Sequence, residues 1–344
     1  MSGEFRFSFG PWNIHEGADP FGPAVRDSIE FGKKLKMYRQ LGFEGVQFHD
    51  DDAVPGMDGL SGEQIIKKAK EVHSILESEG LVAEFVAPRL WEDARTIDGA
   101  YTSNDPACRE YARQRTHRTL DIANALDTKL VVLWLAREGT YLREAKDSKV
   151  AVDRIVEAIN DMLAYNPEIK IAIEAKPNEP MDHTYIPTTG HAIALGLLCD
   201  DPSRIGANIE SAHAILAGLD PSDEMGFALA HKKLFSVHLN DQNGLKFDED
   251  RTFGAVDLRR AFNQTRILDQ YDYGRGGEFV GLDVKAMRTQ KLEVSTKHLS
   301  NSRTIFLRLV ELARTLDKNK VEELIGQRDY EELDMLIINH LMGK

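Results

Sequence analysis

Four acidic or imidazole residues close short apolar runs of this chain: Glu174 in IAIEAKPNEP, Glu210 in ANIESAH, His238 in FSVHLND and Asp283 in VGLDVK. Carboxylate oxygens with one imidazole nitrogen form a ligand set for a divalent cation, and so oxygen-rich a mixture suits Mg, Mn or Co better than a structural zinc site. An acid after a strand also commonly caps the next helix, so any one of them alone carries little weight. All of them at the ends of consecutive runs point to one place in space. His213 follows Glu210 by three residues, and Asp248 and Asp250 alternate in the Gly-bearing loop NGLKFDEDRTFG. With Glu210 these describe a second centre that shares the Glu210 carboxylate. Two neighbouring cations stabilise oxyanions on adjacent substrate atoms and activate a bound water.

Other residues add to this chemistry. Lys176 lies two residues after Glu174, hence on the same side of an extended chain, where its ammonium can hold a substrate oxygen or a metal ligand. His49 ends another apolar run with Asp50, Asp51 and Asp52 behind it, an imidazole that a carboxylate could orient for acid–base work. A lone histidine at a strand end is more often structural, but barrel geometry aims this one inward. Trp12 and Trp134 close two more runs. They read either as core aromatics or as flat apolar walls above a polar floor, a combination that fits a sugar.

To converge, these residues need elements that end side by side. Apolar runs at 5–10, 45–49, 81–87, 129–134, 170–174, 204–210, 234–239 and 278–283 read as strands. Amphipathic stretches at 27–41, 62–79, 106–126, 148–164, 189–199, 221–232, 255–269 and 297–315 read as the helices between and after them. Strands joined by right-handed helical crossovers pair in parallel, and this number of βα units closes an α/β (β/α)8 TIM barrel whose chemistry sits at the C-terminal strand ends. The alternative, a doubly wound open sheet, calls for a phosphate-cradling G-x-G-x-x-G after the first strand, where this chain has FGPWNIHEG. The expected organisation is a barrel domain over 1–315 and a C-terminal helical extension over 316–344. In the extension Leu333, Met335, Ile337, Ile338 and Leu341 make an apolar helical pattern that would cover either a partner subunit or the barrel's own exterior.

Composition excludes several classes. A net charge of −13 over 344 residues, with acids interspersed, argues against nucleic acid as a partner, since phosphates demand a basic patch. Two cysteines, Cys108 and Cys199, are too few for a disulfide framework and fit a reducing compartment. There is no basic-then-apolar leader and no apolar run of membrane-spanning length, so a soluble cytoplasmic protein is expected, with no membrane partner.

A set of motifs taken together resembles the xylose isomerases of the shorter, actinobacterial type. These are DPFG (19–22), FHDDD (48–52), YTSNDPACREYA (101–112), REG (137–139), IEAKPNEP (173–180), PTTGHA (187–192), NIESAH (208–213) and LNDQNGLKFDEDRTFG (239–254), which run in order between about residues 5 and 285. The resemblance implies a TIM barrel that forms a homo-oligomer, a tetramer in most members, and holds two Mg, Mn or Co ions. Its activity is the interconversion of an aldose and a ketose, xylose and xylulose or glucose and fructose. Ring opening by a His/Asp pair, matched by His49 and Asp52, precedes a hydride shift between C1 and C2. The structural metal site is matched by Glu174, Glu210 and Asp283, the catalytic one by Glu210, His213, Asp248 and Asp250, and the lysine on the substrate's O1 by Lys176. The apolar walls are matched by Trp12, Trp134 and Trp91, the last in place of a phenylalanine. Phe21 matches the aromatic that reaches into a neighbouring subunit's site.

The departures are as informative. The fourth ligand of the structural metal is an aspartate in the family and His238 here, which removes one negative charge and should weaken hard Mg relative to Mn, Co or Zn. Rhamnose isomerase and related epimerases are similar to this chain in placing a histidine at that strand end. Ala87-Pro88-Arg89 replaces a T-T-N run that helps hold distal sugar hydroxyls, so Arg89 becomes a substrate-binding candidate, and His15 and Glu16 stand where a second tryptophan is expected. The sequence therefore predicts a metal-dependent aldose–ketose isomerase acting on a monosaccharide. Its alternatives are an isomerase of another aldose, and an epimerase or lyase of a keto sugar using proton transfer at the same centre. A sugar-binding relic would have lost ligands, whereas here only one has changed, to another good one.

Overall fold

The computed structural model describes residues 5–19, 21–245 and 247–344. Pro20 of the DPFG run and Lys246 of the acidic loop lie outside the described residues. The barrel strands are β1 (Phe7–Phe9), β2 (Gly45–His49), β3 (Val82–Ala87), β4 (Leu130–Trp134), β5 (Lys170–Glu174), β6 (Ile205–Glu210), β7 (Leu234–Leu239) and β8 (Val280–Leu282). They pair in parallel in chain order and close, β8 meeting β1 through Phe7↔Val280, Ser8↔Gly281 and Phe9↔Leu282. The expected barrel is therefore the observed one.

A helix follows each strand: α1 (Phe31–Leu41), α2 (Gly62–Glu79), α3 (Pro106–Ala125), α4 (Ser148–Tyr165), α5 (Thr189–Leu197), α6 (Pro221–Ala230), α7 (Leu258–Gln270) and α8 (Lys297–Thr315). Side-chain caps set their starts. Ser61 and Gln64 form a capping box at α2, and Asp105 with Pro106 at the first position opens α3. The predicted 27–41 helix begins four residues late because the Glu30 carboxylate accepts the N–H groups of Gly32 and Lys33 and fixes the first turn there. Gly42 and Gly80, both at positive φ, close α1 and α2 in the left-handed conformation that lacks a steric penalty only for glycine.

Strand alternation divides the apolar residues between two cores. Val131, Leu133, Ile171 and Ile173 face the helices, while Phe85, Ala87, Val132 and Ala172 fill part of the barrel lumen. The register slips twice. Val46 pairs with Ala83 but Gln47 with Phe85, which leaves Glu84 of β3 as a bulged extra residue, and a similar slip between β6 and β7 skips Phe235.

The C-terminal segment folds as α9 (Lys318–Gln327) and α10 (Tyr330–Leu341). Ile337 is buried, and Leu333, Leu336 and Leu341 pack on the main core. His340 Nε2 reaches the Leu312 carbonyl of α8 at 2.7 Å, and Arg259 of α7 pairs with Asp334. The extension thus covers its own barrel. Met335, expected on the apolar face, is instead half-exposed, because the packing face rotates toward Ile337. Cys108 and Cys199 are buried free thiols. No helix among the described residues is long and apolar enough to cross a membrane.

Candidate metal centre and pocket

The C-terminal strand ends open into a cavity of about 1250 Å³. Glu174 and Glu210 end β5 and β6, His238 is the last but one residue of β7 and Asp283 directly follows β8, and they line the cavity together with His213, Asp248 and Asp250. Three ligand groups form, each with its donor atoms within 4.8 Å of one another: Glu174, Glu210 and His213; Glu210, His238 and Asp283; Glu210, Asp248 and Asp250. Glu210 belongs to all three. The strand-end and loop residues picked out by type and spacing therefore converge. One detail differs from the resemblance: His213 Nδ1 also faces Glu174, at 3.6 Å, besides the 3.2 Å and 3.0 Å approaches of its Nε2 to Glu210 and Asp248.

The electrostatics show what this cluster lacks. Burial works to raise the Glu174 carboxyl, but the His238 imidazole 3.2 Å away outweighs it and brings the group down to about 2. Burial, then Asp248 beside it, pushes Asp250 up to about 8 even with the Lys285 ammonium in contact. The same two causes raise Glu210 well above the usual carboxylate range. Carboxylates forced together without enough positive charge hold protons. Moreover, Asp248 Oδ1, His213 Nδ1 and both ring nitrogens of His238 are buried with no hydrogen-bond partner among the described residues. Buried orphans of this kind are costly. Divalent cations fit here on both counts, since they relieve the crowding and use these lone pairs.

The opposite half of the cavity is an aromatic arc. Trp12 lies 4.1 Å from His49 ring to ring, Trp91 lies 5.1 Å from His49 and 4.6 Å from Trp134, and the Lys176 ammonium sits 5.2 Å from Trp134. All three tryptophans line the cavity, and Trp12 also packs on the lumen core. His49 Nδ1 meets Asp52 Oδ2 at 2.8 Å and Arg89 Nη2 at 2.7 Å, so a carboxylate acceptor and a guanidinium donor compete for one nitrogen. Arg89 also pairs with Asp51, Asp52 and Glu92, which leaves its charge largely neutralised by protein. Lys176 Nζ is 2.9 Å from Asp248 Oδ2 and 3.4 Å from Glu179 Oε2. Burial opposes its charge, but Asp248 outweighs that and lifts its pKa. Phe21 stands on the rim, 80% exposed and 5.4 Å from the Phe247 ring.

Several site residues escaped the sequence reading. Asn240 donates to Glu210 Oε1 at 2.9 Å and to Asp250 Oδ1 at 3.2 Å, Asn208 to Glu174 Oε2 at 2.6 Å, and Asn13 to Asp283 Oδ1 at 2.7 Å. Lys285 contacts Asp250. The signal for three of them was present. Asn208, Asn240 and Lys285 each stand two residues from a predicted ligand, as Lys176 does, and so on the same side of the chain.

Residues 35–271 match the family of xylose isomerase-like TIM barrels, and the chain belongs to that family. Solved structures share the fold at low identity. A D-tagatose 3-epimerase-like protein is 13% identical with a TM-score of 0.65, over 90% of this chain and 98% of that one. A xylose isomerase domain protein from Alicyclobacillus acidocaldarius is 15% identical with a TM-score of 0.60, over 90% and 99%. A 3-keto-D-glucoside 4-epimerase from E. coli is 13% identical with a TM-score of 0.62, over 89% and 100%.

Proposed function

We propose that this chain is a divalent-metal-dependent monosaccharide isomerase that interconverts an aldose and a ketose by a 1,2-hydride shift, in the cytoplasm and as a homo-oligomer. The observation that carries the reading is the convergence of three ligand groups on Glu210 beside a lysine-clamped Asp248. The Glu210, His238, Asp283 and Glu174 side chains would hold one ion, and Glu210, His213, Asp248 and Asp250 the other. Mn, Co or Mg bound there supplies Lewis-acid polarisation of adjacent sugar oxygens.

The chain's own residues do the rest. Trp12, Trp91 and Trp134 offer apolar faces to the sugar and shut out water. With Nδ1–H donated to Asp52, His49 keeps Nε2 as the acceptor for a ring hydroxyl proton and so opens the ring. Lys176 fixes Asp248 and presents its remaining N–H groups to a substrate oxygen. Xylose is the leading substrate. Arg89, Glu16 and His238 are the residues that would move specificity to another aldose.

A second reading, epimerisation of a keto sugar by proton transfer at the same centre, is favoured by His238, and the chain's fold is shared by a D-tagatose 3-epimerase-like protein and a 3-keto-D-glucoside 4-epimerase. One experiment separates them. Purified protein with Mn or Co is given a panel of aldoses and ketoses in deuterated water. The hydride shift retains the substrate hydrogen in the product, whereas proton transfer washes in deuterium. No conversion of any sugar with Mg, Mn or Co would sink both readings.

A further inference from the structure

The lumen of this barrel is polar where a TIM barrel is ordinarily filled by branched apolar side chains. Directly below the metal ligands, Ser8 of β1, Gln47 of β2, Glu84 of β3 and Ser236 of β7 meet on the axis, and all are buried. Ser8 Oγ donates to Glu84 Oε2, Gln47 Nε2 donates to Ser8 Oγ and to Glu84 Oε2 at 3.1 Å each, and Ser236 Oγ donates to Glu84 Oε1 at 3.2 Å. The bulge in β3 turns Glu84 inward and makes this floor possible. Both amide protons of Gln47 are thereby used, which fixes the amide orientation and leaves Oε1 buried and without a partner.

His238 stands two residues above Ser236 on the same strand. Its Nδ1 faces Glu174 and Glu210, the side on which a cation would lie, so its Nε2 faces away from them, and that nitrogen is also buried and unpartnered. The two side chains meet at one glycine. A Cβ on Gly281 of β8 would come within 2.6 Å of Gln47 Nε2 and 3.3 Å of His238 Cδ2, the ring atom bonded to Nε2. Glycine at 281 is what lets the amide and the imidazole approach. Unpartnered buried polar atoms on two side chains that approach the same glycine are the setting in which folded proteins keep an internal water.

We infer that Gln47 is a positioning residue for His238: its Oε1, through one bridging water, accepts the His238 Nε2 proton and holds the ring with Nδ1 toward the metal. The inference rests on His238 being a ligand in the proposed centre. It makes the odd ligand and the polar floor one device. An aspartate at a strand end asks for nothing below it, whereas an imidazole ligating through Nδ1 carries an N–H that needs an acceptor, and such outer partners tune metal affinity.

The test is a cycle of Mn(II) dissociation constants, measured by calorimetric titration, for the wild type, Q47L, H238D and the double variant. With histidine at 238, Gln47→Leu should weaken Mn(II) by roughly 10- to 100-fold. In the H238D background the same change should stay within about twofold, because there is no imidazole left to hold. Equal losses in both backgrounds overturn the inference and leave Gln47 a packing residue, with the metal centre itself intact. No Mn(II) binding by the wild type removes the centre and the inference together. Where Q47L fails to fold, the wild type decides by itself. Long-range proton–nitrogen NMR on histidine-labelled protein, with the signal assigned by its loss in H238D, should show a slowly exchanging Nε2 proton on His238, and an unprotonated or fast-exchanging Nε2 overturns the proposal.

Discussion

Around the ends of β2 and β3, Arg115 grips the fully buried Asp50 through two N–H groups at 2.7 Å and 2.8 Å, and Arg89 spans Asp51, Asp52 and Glu92 at 2.8–3.3 Å. Around the ends of β5 to β8, acids press on one another instead, so that Asp250 rises to about 8 and Glu210 rises too. Both regions hold buried carboxylates next to the C-terminal ends of barrel strands. In the first, arginines meet the acids, and in the second, Lys176 and Lys285 reach Asp248 and Asp250 but Glu210 and Asp250 stay raised, which fits the divalent cations proposed there. The difference separates two kinds of buried acid: Asp50, with a fitted arginine, is held by the protein itself, and Glu210, among acids and imidazoles, is the group for which a bound cation is proposed.

The sharpest way to break this contrast is to remove one acid from the crowded half. Glu210→Gln should abolish binding at both centres and cut sugar conversion on the order of a thousandfold, about 4 kcal/mol of lost charge stabilisation. In EDTA, however, the variant should melt no lower than the wild type, because the amide replaces a carboxyl whose ionisation burial and its acidic neighbours already oppose. Thermal unfolding with and without Mn(II) reads both at once, and a large loss of metal-free stability would show that Glu210 belongs to the structural class.

The converse change sits in the neutralised half. Arg115→Met leaves Asp50 buried and uncompensated, with only the Thr119 hydroxyl at 3.1 Å and nearby backbone N–H groups to hold it. Stability should fall by about 3–5 kcal/mol in urea titrations. The Mn(II) affinity of the folded protein should stay within about twofold.

The two halves were not equally legible in the sequence. Every proposed metal ligand but His213 sits at the end of an apolar run or in an acid-alternating loop, where residue type and position along the chain suffice to pick it out, and His213 follows from its three-residue step after Glu210. The supporting residues are ordinary in type. Asn208, Asn240 and Lys285 could have been found by the two-residue step that found Lys176. Glu84 could not, since its inward aim comes from a register slip between β2 and β3 that no periodicity reveals. Likewise Arg115, in the middle of α3, becomes a partner of Asp50 only when that helix packs beside the end of β2. Fold class and strand ends follow from local pattern, and the charge neutralisation across elements follows from tertiary packing.

A proton count gives a finer probe. Asp250, at about 8 when folded against its ordinary 3.8, holds a proton near neutrality that a cation must displace. Apparent Mn(II) affinity should therefore rise by up to about tenfold per pH unit between pH 6 and 8 and then level off. In metal-free protein the same group contributes stability that is fully present below about pH 3.8 and is lost as pH rises through about 8. Glu174, lowered to about 2, acts the other way: its contribution is present above about 4.5 and is lost as pH falls through about 2. Melting in EDTA should thus decline from pH 6 to pH 9, and saturating Mn(II) should remove the decline. A decline that persists in Mn(II) would place its source outside the centre.

The smallest effect concerns the identity of one ligand. His238→Asp restores a carboxylate to the strand end and adds a negative charge to a centre that holds a neutral imidazole when metal is bound through Nδ1. A hard cation gains most from that exchange, so the ratio of Mg(II) to Mn(II) affinity should shift toward Mg by a factor on the order of ten, about 1.4 kcal/mol. The extra acid crowds a cluster already short of positive charge, so the metal-free variant should melt lower than the wild type while the Mg-loaded one does not. Paired titrations with the two metals at fixed pH read the ratio directly. An unchanged ratio would remove His238 from the ligand set and leave Glu210 and Asp283 to hold that side of the centre without an imidazole.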